Sequence, residues 1–151
     1  MPYLPVNWNS PYKAISLVTA GEKEIFLAAT GLRTVLRWDG QRWQREPVSV
    51  EDGTVTLAGE TVAVFSAGKA DSSRIFDVPS TRKATLSYHW RSPEGRWEGP
   101  ITLVPEFKID EMKSLPGFSV PRYSPPNFVP LAWSDAGEGV VKLLRVPIPP
   151  R

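Results

Sequence analysis

Apolar side chains recur at every second position along most of this chain, and Gly or Pro interrupts the pattern before helical spacing can develop. Such period-2 alternation marks a strand with one face buried. It predicts strands over residues 15–20, 25–29, 61–67, 74–78, 101–104, 127–133 and 140–146. The longest stretch free of both Gly and Pro is residues 80–92, rich in Thr, Leu, Tyr and Trp and poor in helix formers. With 16 Pro in 151 residues, a helical bundle is excluded, because proline inside a helix costs about 3 kcal/mol or more. Only residues 106–115 leave room for a short helix, and Phe107 and Ile109 fit a strand there as well.

Three hairpins are expected. Thr34-Val35-Leu36-Arg37-Trp38 and Gln41-Arg42-Trp43-Gln44-Arg45 flank Asp39-Gly40, a pair favoured in type I′ turns because both central residues need φ > 0. A two-residue loop sets Trp38 against Gln41, Arg37 against Arg42 and Leu36 against Trp43, with Leu36, Trp38 and Trp43 on one face. In the second hairpin, Asp52-Gly53 joins 48–51 to 54–57 and pairs Val50 with Val55 and Val48 with Leu57. In the third, the loop Ser92-Pro93-Glu94-Gly95 sets Trp90 opposite Trp97. Leu86, Tyr88 and Trp90 then share one face, and Ser87, His89 and Arg91 the other. Residues 116–130, carrying five prolines, read as an extended connection.

The chain also resembles itself. Thr19-Ala20-Gly21 returns as Ser66-Ala67-Gly68, and Ile25-Phe26-Leu27-Ala28 as Ile75-Phe76-Asp77-Val78. Trp38 returns as Trp90 and Trp43 as Trp97, so the offset grows from 47 to 54. A fainter third copy contains Phe118-Ser119-Val120, Phe128-Val129-Pro130-Leu131, Trp133 and residues 140–147. A period near fifty, with several strands and a Trp per unit, is the pattern of propeller blades. The expected fold is all-β, one domain over 1–151, built of about three propeller-blade-like antiparallel repeats at 12–60, 61–115 and 116–151. A single β-sandwich or barrel is the alternative.

On these residues the chain resembles the tryptophan-repeat β-propellers, including sugar-binding lectins of that plan, over roughly 15–147. The resemblance implies aromatic platforms and basic donors around a sugar. Trp38, Trp90 and Trp133 answer to the platforms, and Arg33, Arg74 and Arg91 to the donors. Three blades do not close a ring, and open blades leave strand edges that natural proteins cover. A homo-oligomer or a larger assembly is therefore expected.

Composition narrows the chemistry. The chain has no Cys, which removes disulfides, thiolate metal sites and cysteine nucleophiles. Its net charge is +2, too small a field to draw nucleic acid or an anionic membrane. Arg33, Arg37, Arg42 and Arg45 cluster around Trp38 and Trp43, but Glu46, Glu51 and Asp52 follow at once, so a solvated strand face is the expectation there. No apolar run is long enough to span a bilayer, and the N-terminus lacks a charged region followed by an apolar one, so a cytoplasmic protein is expected.

The sole histidine, His89, lies on a strand with no G-x-S-x-G elbow anywhere, and reads as an ordinary surface residue. One histidine excludes a His-rich metal site, and no cofactor or metal is expected. The carboxylate neighbours Glu22/Glu24, Glu51/Asp52 and Asp110/Glu111 form no acid/base constellation. Residues 134–140 only approach the Asp-box of sialidase propellers. The expected function is therefore a non-enzymatic recognition module, a carbohydrate binder acting through Trp platforms and Arg donors. A structural or protein-interaction subunit of a larger assembly is the alternative.

Overall fold

The computed structural model describes residues 15–69, 81–110, 117–136 and 138–149. Among the described residues twelve strands follow one another: β1 (Ile15–Ala20), β2 (Glu24–Ala29), β3 (Leu36–Trp38), β4 (Trp43–Arg45), β5 (Thr54–Ala58), β6 (Thr61–Lys69), β7 (Thr81–Arg91), β8 (Trp97–Asp110), β9 (Phe118–Ser119), β10 (Tyr123–Ser124), β11 (Phe128–Asp135) and β12 (Val140–Pro147). They form three sheets, ordered β1-β2-β3-β4, β10-β5-β6-β7-β8 and β12-β11-β9, and none closes into a barrel. The class is all-β, as the alternation requires. The expected strand at 74–78 lies outside the described residues, and so does Arg74. Residues 106–110 continue β8, so that part of the possible helix is strand.

The sheets follow chain order except for β10, which crosses over to pair parallel with β5, and they are stacked. The first sheet covers one face of the second, where Val18, Phe26, Ala28 and Val35 meet Val55, Val62 and Val64. The third covers the other face, where Val129, Leu131 and Trp133 meet Phe65, Leu86, Tyr88 and Phe107. Strand β6 is therefore sandwiched: Val62 and Val64 point one way, Ala63, Phe65 and Ala67 the other, and all are buried. A near-continuous apolar run is what a strand covered on both faces needs. Phe65 stacks on Tyr88 with centroids 5.2 Å apart, and Phe107 meets Trp133 edge-on at 5.4 Å.

Each expected hairpin is altered by one identifiable force. In the first, the loop has four residues, not two: Trp38 pairs with Trp43, Arg37 with Gln44 and Leu36 with Arg45. Asp39 causes this, because its carboxylate accepts the N–H groups of Gln41 and Arg42, both at 2.9 Å, and so lengthens the turn. A shift of two preserves the faces, so Leu36, Trp38 and Trp43 remain together. The second hairpin does not form. Residues 48–51 are irregular, the Val50 N–H bonds to the Arg33 carbonyl, and β5 pairs with β6 instead. Val48 and Val50 still bury their side chains in the same apolar cluster.

In the third, the loop has five residues. Ser92 donates its N–H to the Arg96 carbonyl at 2.7 Å, and its hydroxyl accepts the Arg96 N–H at 3.1 Å. Arg91 then pairs with Trp97, and Trp90 with Glu98. A one-residue slip moves Trp97 to the opposite face from Trp90. The recurring indole pairs thus sit in different surroundings: Trp38 and Trp43 are cross-strand partners 5.6 Å apart, while Trp90 and Trp97 pack against different clusters. The sheets depart from the expected units at both boundaries, because β5 leaves the first and β10 leaves the third to join the second.

Candidate functional site

The slip at the third hairpin builds a site. On β7, alternation sends Ala84, Leu86 and Tyr88 toward the third sheet and Ser87, His89 and Arg91 toward the first. Trp97, opposite Arg91, joins the latter face. Ser66 pairs with Ser87 and Val64 with His89 across β6 and β7. The first sheet stops short of this area, and a cleft of about 510 Å³ opens there. Ser66, Ser87 and His89 line it from the second sheet, Trp97, Gly99 and Pro100 from β8, and Pro47, Val48, Val50 and Glu51 from the irregular segment before β5. Gly99 is required by close approach: at φ +117°, a Cβ there would lie 2.9 Å from the Tyr88 carbonyl and 3.3 Å from the His89 ring.

Behind the cleft is a buried carboxylate. Glu46 follows β4, and its side chain is only 6% exposed. Its Oε1 accepts Arg91 Nε at 2.9 Å and Trp97 Nε1 at 3.2 Å, and its Oε2 accepts Arg37 Nε at 3.3 Å. Arg37 also donates to Glu24 at 3.0 Å and to Gln44 at 3.3 Å. Burial opposes the charge on Arg37, but Glu46 and Glu24 outweigh it and raise its pKa above the ordinary value. Arg91 lies over the Phe26 ring at 5.2 Å. Two arginines and two carboxylates thus balance one another across the junction of the first and second sheets. The Trp97 indole is held by its N–H on the central carboxylate.

His89 is not an ordinary surface residue. It is half-buried, its Nδ1 is buried without a hydrogen-bond partner, and burial lowers its pKa from the usual 6.5. Burial therefore favours the neutral imidazole at this wall of the cleft. No hydrogen bond joins His89 to Ser66 or Ser87, and among the described residues no cluster of acidic and imidazole groups could hold a metal ion.

The residues singled out by sequence are scattered. Trp38 sits half-buried at the end of β3 beside Trp43. Trp90 packs on the far face of the second sheet, and Trp133 is 7% exposed with its indole N–H buried and unpartnered. Arg33 is exposed, and Arg91 is bound to Glu46. Of these residues only Arg91 approaches the cleft, as a support that reaches Trp97 through Glu46. Glu46, Trp97, Ser66 and Ser87 were not singled out. The available signal was the Ser92–Gly95 loop, whose Ser and Gly suit the five-residue turn that brings Trp97 to the face of His89.

No protein-family model, curated protein or solved structure matches this chain.

Proposed function

We propose that the protein is a non-enzymatic recognition module that holds a small neutral polyhydroxylated ligand, a sugar unit of a glycan, in the cleft beside Trp97. The observation that carries this reading is the Trp97 indole, anchored through its N–H on buried Glu46 and forming one wall of the cleft. An aromatic ring fixed before binding loses little freedom when a ligand covers it. The apolar ring stacks on C–H groups, while the Ser66 and Ser87 hydroxyls and the His89 imidazole offer both donors and acceptors to ligand hydroxyls. With His89 neutral and Glu51 at the rim, no cation in the lining favours an anionic ligand. The arginines act through the carboxylate, not on the sugar.

The test is a titration with neutral mono- and oligosaccharides at millimolar concentration, observed at the indole N–H resonances and assigned with Trp97→Phe. Binding should shift the Trp97 resonance and weaken at least ten-fold in Trp97→Ala. A glycan panel that leaves all indole resonances unmoved would end the proposal.

A further inference from the structure

Strand β12 is left unexplained by the cleft. Its Val140, Val141, Leu143 and Leu144 are 44%, 71%, 79% and 37% exposed. It is the outer strand of the third sheet, with β11 beside it on one side only. The backbone direction follows from the register. Val129 pairs with Val146 and Leu131 with Leu144, and just beyond them the Ile148 N–H bonds to the Asn127 carbonyl at 3.0 Å. Backbone groups of successive strand residues point to alternate sides. Those of Val141, Leu143 and Arg145 therefore face away from β11, and no described strand pairs with them.

Natural edges are guarded by outward charges, lysine above all. Here both cations are drawn back onto their own sheet. Lys142 binds Glu138 at 3.0 Å and lies 5.1 Å from the Trp133 ring, and Arg145 covers the Phe128 ring at 3.7 Å.

We propose that β12 is a two-fold interface between two copies of this chain, paired antiparallel about Leu143. An interface of this symmetry requires a self-complementary strand. In this register Leu143 exchanges both backbone bonds with its counterpart, and Val141 does so with Arg145 of the second copy. Lys142 falls opposite Leu144, so no two cations meet. Neighbouring registers are worse. Centring on Lys142 sets two ammonium groups face to face at the closest Cα spacing, and centring on Leu144 sets Val141 against Pro147, which has no N–H. The strand carries no carboxylate, so nothing on it selects a basic partner over its own copy. Pairing sets a second copy's side chains alongside its four exposed apolar side chains and joins two three-stranded sheets into one. The inference is independent of the cleft, which lies on the opposite face of the second sheet.

Sedimentation equilibrium of the full chain should give about twice 16.8 kDa at micromolar concentration. Leu143→Glu places two carboxylates opposite each other and should weaken association at least ten-fold, with the unfolding free energy of the dissociated monomer unchanged because the side chain is so exposed. A cysteine scan supplies the register. The chain has no Cys, and hydrogen-bonded antiparallel partners lie about 5.5 Å apart, within disulfide reach. Mild oxidation should therefore cross-link Leu143→Cys into a covalent dimer and leave Ser119→Cys, on β9, uncoupled. A wild-type chain that stays monomeric overturns the proposal. So does a dimer that is indifferent to Leu143→Glu and does not cross-link through Leu143→Cys, which includes dimers built on another face.

Discussion

Strand β6, rich in Val, Ala and Phe, and strand β12, rich in Val and Leu, meet opposite fates. In β6 every side chain from Val62 to Ala67 is buried, whereas in β12 only Val146 is. The difference lies in sheet order. Strand β6 is central in a five-stranded sheet covered on both faces, and β12 is an edge in a sheet covered on one. Apolar composition thus sets how much a strand gains from burial, and position among its neighbours sets whether it is buried at all.

Substitutions that empty the covered region should cost most. Phe65→Ala removes a ring stacked on Tyr88 at full burial and should destabilise the chain by about 3–5 kcal/mol in urea unfolding. Glu46→Gln leaves half-buried Arg91 without its counter-charge and Arg37 with Glu24 alone, and should cost about 3 kcal/mol. It should also broaden the Trp97 indole resonance as the anchor is lost. Gly99→Ala forces a Cβ against the Tyr88 carbonyl at positive φ, and a loss of about 2 kcal/mol is expected, again by urea unfolding.

The pH dependence of His89 is gentler. Burial favours its neutral form in the folded state, so below pH 6.5 the unfolded chain binds more protons. Stability should fall as pH drops through and beneath that value, and His89→Gln should flatten this part of the thermal-midpoint profile. At the exposed end, Leu143→Ser should change the unfolding free energy of the monomer by no more than about 0.5 kcal/mol. If Leu143→Ser cost as much as Phe65→Ala, the contrast between the two strands would collapse.

Much of the fold was legible along the chain. The bounds of β1 coincide with the alternation at 15–20, and β2, β6, β11 and β12 start or end within a residue or two of the expected positions. The turns were less legible, because side chains rewrote them. Asp39 capped two N–H groups and lengthened the first loop, Ser92 closed a five-residue loop, and the run Val62–Phe65 out-competed Val48–Val50 as partner for β5. For the cleft, sequence placed Ser87, His89 and Arg91 on one face but set Trp97 on the other. That single slip separated the indole from the residues it lines the cleft with.

Local pattern alone determined that the chain is all-β and which positions alternate, because steric limits on φ and ψ and the two-residue side-chain period act within a few residues. Tertiary structure alone decided that Glu46 is buried between two arginines, that Trp97 rests on it, that His89 lines a cleft, and that β12 lies open at an edge. Each of these depends on which sheet covers which, a competition among apolar surfaces far apart in the chain.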